Sequence, residues 1–209
     1  MTNDYRNTKY CPCLTDLSSK KKKIKEDILK KYPKAKDMHP YVSNNSSSFK
    51  DDFMEAYNKK CSYCGVSTKI IGRKQFEIDH LIPKSSDCFK GKTTAGEMDN
   101  LVLACYDCNR SKGDFELQEI NDYCKINPDK AGIRQTFFRD AEYYIRICED
   151  FSNDASVKAF YQRVGLYRQI HRLDYLLINM IGFRDENEAN LLLYKELTKA
   201  IEALKEKRK

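Results

Sequence analysis

Apolar side chains recur at every third or fourth position over much of this chain, which is the spacing of an amphipathic α-helix. The spacing predicts a helix over residues 20–32 and another over residues 51–60, joined by a polar linker at residues 33–50. A further helix is expected to begin near Cys108 and to run past Leu117. In this interpretation the linker separates the first helix from the rest of the chain.

Two segments depart from the helical spacing. Residues 75–79 and 101–104 combine β-branched, aromatic and leucine side chains between loops, which predicts two short strands. Residues 84–98 between them have the composition of a long surface loop. After residue 128 the spacing is helical again and predicts a bundle of about three helices. The first of these would carry Ile133, Phe137, Ala141, Tyr144, Ile145 and Cys148.

The net charge of +7 is concentrated in one part of the chain. Residues 1–50 hold 12 Lys and Arg against 5 Asp and Glu, whereas residues 51–114 and 115–209 are each balanced. Much of the excess is a lysine run that begins with Lys20, Lys21, Lys22 and Lys23. Such asymmetry indicates a polyanionic partner, nucleic acid before membrane, although a solvated lysine-rich helix has the same pattern.

Neither a membrane span nor a secretory leader is visible in the sequence. No apolar run approaches the roughly 18 residues that a span requires, and the first residues lack an apolar signal core. We therefore expect a cytoplasmic protein without a membrane partner. In that setting nine cysteines, an odd number, indicate metal binding or buried thiols rather than a disulfide framework.

Four of the nine cysteines lie in two Cys-x-x-Cys pairs, namely Cys61, Cys64, Cys105 and Cys108. Each pair can place two thiolates on one ion, and two pairs complete the tetrahedron of a structural Zn²⁺. Gly65 supports a tight turn after the first pair, because glycine tolerates a positive φ. Cys11 and Cys13 have no partner pair, so their role stays open.

Polar side chains that suit phosphodiester hydrolysis lie between and beside these pairs. Asp79 can supply a carboxylate and Asn109 an amide oxygen, which are the hard ligands that Mg²⁺ prefers. A neutral His80 can accept a proton from an attacking water, since the reference pKa of histidine is about 6.5. A divalent ion would neutralise charge in the transition state.

At these residues the sequence resembles the HNH endonuclease family, the ββα-metal nucleases, over about residues 53–118. The matching positions are Asp79-His80 with Ile82-Pro83, Asp99-Asn100-Leu101-Val102-Leu103, and Cys105-x-x-Cys108-Asn109-Arg110-x-Lys112-Gly113-Asp114. The leading Cys61-x-x-Cys64 pair matches the zinc-bearing branch of the family. Because Asn109 fills the last motif position, the chain reads as a His-Asn-Asn variant.

The resemblance implies a role for each motif residue. Asp79 and Asn109 would ligate a catalytic Mg²⁺ or Mn²⁺, and His80 would be the general base that activates water. Asn100 would hydrogen-bond the backbone and fix the loop that carries His80. The four paired cysteines would hold the structural zinc. Arg110 and Lys112 would lie near the phosphate backbone.

The expected architecture is α+β and has three parts. Residues 1–50 would form a basic helical arm and linker, whose lysines at positions 20–23 add phosphate contacts. Residues 51–124 would form the small ββα-metal core with its four-cysteine zinc knuckle. Residues 125–209 would form a helical region that serves as a scaffold, a homodimer interface or a docking site for a partner protein.

The resulting functional hypothesis is a metal-dependent endonuclease that acts on nucleic acid, with double-stranded DNA as the favoured substrate. Restriction or anti-phage defence is the favoured setting. Two alternatives stay open at this point. One is a zinc-ribbon module that binds nucleic acid without cutting it. The other is a nuclease subunit of a larger defence complex, active only with its partner.

Overall fold

The computed structural model describes residues 4–11, 13–90 and 95–208. Its helices are α1 (Leu17–Lys31), α2 (His39–Ser43), α3 (Ser48–Ala56), α4 (Tyr106–Lys112), α5 (Tyr123–Ile126), α6 (Gly132–Thr136), α7 (Ala155–Val164), α8 (Gln169–Glu186) and α9 (Leu191–Arg208). Its strands are β1 (Phe76–His80), β2 (Leu101–Cys105), β3 (Phe137–Arg139) and β4 (Ile145–Ile147). The α+β class expected from the sequence is confirmed.

A ββα unit lies at the centre of the fold. Strands β1 and β2 pair antiparallel, with Phe76 opposite Cys105 and His80 opposite Leu101. Every residue of β2 is buried, and α4 follows it directly and packs against both strands. The two strands lie within one residue of their predicted positions. The loop expected at residues 84–98 contains short 3-10 turns, and its residues 91–94 lie outside the described ranges.

The amino-terminal segment belongs to the same hydrophobic core as the ββα unit. Leu14, Leu17, Ile24 and Ile28 are buried in one cluster with the side chains of β1 and β2. The segment predicted as a polar linker contains α2 and the first turn of α3. The division into three parts stays a prediction, but the described residues before position 50 do not form a detached arm.

Residues 137–147 form a β-hairpin where the sequence predicted a helix. Strands β3 and β4 pair antiparallel, with Phe137 opposite Ile147. Asp140 stabilises the turn because its Oδ1 accepts the N–H groups of Glu142 at 3.0 Å and Tyr144 at 2.9 Å. Tyr143 adopts a left-handed φ of 69°, which ends any helical path. The predicted helix across Ile133 to Cys148 is therefore wrong.

The remaining helices are shorter or more interrupted than predicted. Helix α4 ends at Lys112 instead of passing Leu117, because Gly113 turns away with φ of 53°. Helix α7 ends at Gly165, whose φ of 75° lies outside the helical range, and α8 begins only at Gln169. Helix α8 then packs along α9. Within the described ranges, no helix is both long enough and apolar enough to cross a bilayer.

Candidate functional site

The four paired cysteines meet in the fold. Cys61 and Cys64 lie in the loop after α3, Cys105 ends β2 and Cys108 lies in α4. Their Sγ atoms all lie within 4.8 Å of one another, and all four side chains are buried. Gly65 closes the knuckle with φ of 84°. The expected cysteine cluster therefore forms in three dimensions.

This sulfur cluster has the chemistry and size of a tetrahedral zinc site. With Zn–S bonds of about 2.3 Å, the sulfur atoms of a tetrahedron are about 3.8 Å apart. The Sγ atoms of Cys64 and Cys105 are separated by 3.8 Å. Burial raises the pKa of the Cys64 thiol well above its usual range, so a fully ionised ligand set requires a cation at its centre. The cluster could bind zinc.

Tyr63, which lies inside the first Cys-x-x-Cys pair, connects this cluster to the end of β1. Its side chain is fully buried, and its hydroxyl donates to Oδ2 of Asp79 at 2.6 Å. No pattern in the sequence points to this residue. The Cys-x-x-Cys spacing fixes only the cysteines, and the direction of the tyrosine depends on the packing of the knuckle against β1.

One cavity of about 310 Å³ brings together the three residues expected to perform the chemistry. Asp79 and His80 come from the end of β1, and Asn109 comes from the middle of α4. The other residues that line this catalytic cavity are Ile78, Pro83, Lys84, Arg110, Gly113 and Asp114. A carboxylate, an amide and an imidazole thus share one space that solvent can enter.

Asp79 is held by two buried donors. Its side chain accepts from Tyr63 at Oδ2 and from the Lys112 ammonium at Oδ1, the latter at 3.2 Å. Burial raises the pKa of Asp79 above its usual value, against the lowering effect of Lys112 and Tyr63. Lys112 also donates to the carbonyl oxygen of His80 at 2.8 Å. These contacts fix both the carboxylate and the backbone at the end of β1.

Asn109 is oriented by Glu77, a residue that the sequence analysis missed. Its Nδ2 donates to Oε2 of Glu77 at 2.6 Å, and Arg110 donates to Oε1 at 2.9 Å. Because an ionised carboxylate only accepts hydrogen bonds, the amide nitrogen must face Glu77 and Oδ1 is left for a cation. Glu77 could have been found from strand alternation, since it lies two residues before Asp79 and therefore on the same face.

His80 packs against a second histidine from α2. The rings of His39 and His80 stack with their centroids 4.6 Å apart, and His39 Nε2 lies 3.3 Å from the Ile78 carbonyl oxygen. Burial, followed by the positive charges of His39 and Lys84, lowers the pKa of His80 to about 4. The imidazole is therefore neutral at pH 7. No sequence signal points to His39, because it lies in the segment whose composition predicts a polar linker.

Asn100 ties the loop after β1 to the start of β2. Its Oδ1 accepts the N–H of Ile82 at 2.8 Å, and its Nδ2 donates to the carbonyl oxygens of Ile82 and Ala95, each at 2.9 Å. Its own carbonyl oxygen accepts the N–H of Leu81 at 2.8 Å. Leu81 and Ile82, which directly follow His80, are thereby held by the backbone and the side chain of Asn100. Asn100 does not line the catalytic cavity.

The family model described as HNH endonuclease matches residues 61–115, about a quarter of the chain. We call residues 61–115 the HNH domain after this match. The match contains both cysteine pairs, and the sulfur cluster agrees with the zinc-bearing branch of the family. It also contains Asp79, His80 and Asn109. No curated protein and no solved structure matches the chain.

The donor atoms of the HNH domain are suited to a hard divalent ion. Asp79 offers a carboxylate and Asn109 an amide oxygen that no described donor contacts, and both residues line the catalytic cavity. Mg²⁺ is commonly held by one or two protein oxygens and completes its shell with water and substrate phosphate. These two residues therefore fit the catalytic Mg²⁺ or Mn²⁺ that the resemblance implies.

Two lysines expected to contact phosphate are buried instead. Lys112 is 1 % exposed, and its ammonium forms a buried ion pair with the Asp79 carboxylate. Lys21 is 2 % exposed, and its ammonium donates to the Leu101 carbonyl oxygen at 2.8 Å and to Asp129 at 2.5 Å. Both expectations are wrong, because each ammonium has a carboxylate partner inside the fold.

The other expected phosphate contacts remain at the surface. Lys22 and Lys23 are exposed on α1 and Lys20 is partly exposed. Lys20 and Lys23 border a surface cavity that also contains Asp27, Asp52 and Glu55, so its lining is not purely basic. The Arg110 side chain is 63 % exposed while it contacts Glu77.

Proposed function

We propose that the HNH domain is a divalent-metal-dependent endonuclease that hydrolyses phosphodiester bonds of DNA. The observation that carries the proposal is the shared cavity of Asp79, His80 and Asn109. It joins a neutral base to two oxygen donors, which is the side-chain set that metal-assisted phosphodiester hydrolysis requires. The match to the HNH endonuclease family supports a nuclease-type function at the level of the family.

In the proposed reaction His80 accepts a proton from water as the water oxygen attacks phosphorus. The bond between phosphorus and the leaving oxygen breaks, and that oxygen takes a proton from solvent. Asp79 and Asn109 would hold Mg²⁺ or Mn²⁺, which when bound neutralises charge on the reacting phosphate. Asn100 and Lys112 keep the backbone around His80 in place through the contacts described above.

The proposal is tested by nicking of supercoiled plasmid in Mg²⁺, in Mn²⁺ and without added divalent ion. Omitting the ion is preferable to adding a strong chelator, since a chelator would also remove zinc from the cysteines. We expect cleavage that depends on the ion and that is lost in His80→Ala and in Asn109→Ala. Lys158→Ala, which changes an exposed lysine of α7, is the matched control and should cut like the parent protein. Equal cutting by all four proteins would contradict the proposal.

The alternatives give different outcomes in the same assay. A non-catalytic zinc-ribbon module would bind DNA, retain that binding in His80→Ala and cut under none of the ions. A nuclease subunit that requires a partner would cut only when the partner is added. One feature favours this last alternative: Leu191 and Leu192, at the start of α9, are 72 % and 74 % exposed. Restriction or anti-phage defence in the cytoplasm remains our proposed setting, and it rests on the resemblance alone.

A further inference from the structure

A second cavity of about 310 Å³ adjoins the catalytic cavity of the HNH domain. The two share Ile78 of β1 and Asn109 and Arg110 of α4 in their linings, so they adjoin at these residues. The remaining residues that line the second cavity are His39, Ser43, Asn45, Lys50, Lys74, Phe76 and Glu77. Nothing in the HNH motif assigns a role to this space.

Lys50 brings a buried positive charge to the second cavity. Lys50 is 3 % exposed. Its ammonium donates to Oδ1 of Asn45 at 2.7 Å and to the Phe76 carbonyl oxygen at 3.2 Å. Asn45 and Phe76 both line the cavity, which places the ammonium at its wall. An ammonium has three N–H donors, so one of them has no acceptor among the described residues.

The charge of Lys50 is not balanced by a neighbouring carboxylate. Among the described residues, none places a carboxylate oxygen within 4 Å of its ammonium, whereas the buried lysines Lys21 and Lys112 contact Asp129 and Asp79. Buried lysines are rarely left without such a partner. Burial, followed by the positive charge of Arg73, lowers the pKa of Lys50, and the more distant carboxylates of Glu77 and Asp51 offset this only in part.

Two exposed lysines extend this positive charge to the rims of both cavities. Lys74 lines the second cavity and Lys84 lines the catalytic one, and neither has an ion pair within the described part of the chain. Glu77 is the acidic residue that lines the second cavity, and its carboxylate oxygens accept hydrogen bonds from Asn109 and Arg110. The second cavity is therefore open to an anion.

We propose that the second cavity binds the phosphodiester next to the one cut in the catalytic cavity. Lys50 would contact this phosphate from the wall of the cavity and Lys74 from its rim. One nucleic-acid strand would then run from Lys84 across Asn109 and Arg110 to Lys74. This inference rests on the proposed nuclease function, and it moves the main phosphate contacts from α1 to the surface around the HNH domain.

The test measures the salt dependence of DNA binding in a His80→Ala background, so that cleavage does not interfere. Fluorescein-labelled 20-nucleotide DNA, single-stranded and duplex, is titrated with Lys74→Ala, Lys50→Met and the control Lys158→Ala over a NaCl series, and binding is followed by fluorescence anisotropy. Loss of one phosphate contact lowers the slope of log K against log salt by about 0.9 for a duplex and about 0.7 for a single strand. We expect these reductions for Lys74→Ala and Lys50→Met, and no change for the control.

Each outcome decides the inference. If Lys74→Ala and Lys50→Met bind with the slope of the control while the parent protein cuts plasmid, the second subsite is wrong and the nuclease function stands. If the parent protein neither binds nor cuts DNA, both proposals fail. Should circular dichroism show that Lys50→Met is unfolded, the result for Lys74→Ala decides, because Lys74 is exposed and has no ion pair among the described residues.

Discussion

Replacing Lys112 by methionine removes the cation that faces the Asp79 carboxylate while keeping most of the aliphatic chain. In the folded protein the two side chains are 1 % and 7 % exposed and their charged atoms are 3.2 Å apart. The substitution therefore leaves a buried carboxylate, with Tyr63 as its remaining side-chain donor among the described residues. It also removes the hydrogen bond from the ammonium to the His80 carbonyl oxygen.

The expected loss of unfolding free energy is large. Breaking a buried ion pair by removing one partner costs about 3–5 kcal/mol, because the other charge is left without compensation. This is a substantial share of the roughly 5–15 kcal/mol that stabilises a typical domain. If Lys112 were instead a phosphate contact at the surface, the same change would alter stability by less than about 0.5 kcal/mol and would weaken DNA binding.

Urea unfolding at fixed zinc concentration, followed by far-ultraviolet circular dichroism, measures this loss. Lys158→Met is the control and should unfold at the parent midpoint, because Lys158 is exposed and forms no ion pair in the described part of the chain. The double variant Lys112→Met, Asp79→Asn should recover part of the loss, since it removes the uncompensated charge. A stability loss below about 1 kcal/mol for Lys112→Met, combined with a smaller salt slope for DNA binding, would refute the buried pair.

Three further changes probe other contacts of the site. Glu77→Ala removes the acceptor that orients the Asn109 amide, so plasmid nicking should slow by about 10- to 100-fold and require more Mg²⁺. If the variant nicks at the parental rate across a Mg²⁺ series, Glu77 does not orient Asn109. Cys105→Ser should abolish zinc binding and cooperative thermal unfolding, measured by metal analysis and calorimetry, whereas Cys13→Ser, exposed and outside the sulfur cluster, should change neither. The pKa of His80 falls from 6.5 to about 4 on folding, so the unfolded chain binds a proton first as the pH drops through this range. The urea midpoint should therefore decrease from pH 7 to pH 5, and His80→Gln should reduce that decrease.

The cysteine cluster and the two central strands could be predicted because their signals are local. Each Cys-x-x-Cys pair places two ligands within one turn of the chain. A five-residue apolar segment such as β2 indicates a buried strand by its own composition. The contacts of Glu77 and His39 depend on which elements pack against β1. Only the fold brings both α2 and α4 into contact with β1.

Lys21 and Lys112 show that the number of lysines in a segment does not predict how many of them lie at the surface. Lys21 lies four residues after Leu17 and three before Ile24, so helical spacing already places it on the buried face of α1. Its partner Asp129 is more than a hundred residues away in the chain, and nothing local connects them. Removing residues 1–36 would take away the lysines of α1. In the structure that change would also remove core side chains such as Ile24 and Ile28.

The same long-range contacts set an order of events during synthesis. Arg6 donates to the Pro128 carbonyl oxygen at 2.9 Å, Lys21 pairs with Asp129, and Arg139 donates to the Tyr5 carbonyl oxygen at 2.8 Å. At about 5–20 residues per second, the early segment emerges from the ribosome on the order of ten seconds before these partners exist. Until then its apolar face has no complete core to join. The core around β1 and β2 is therefore complete only after the hairpin of β3 and β4 has been made, since Phe137 and Ile145 belong to it.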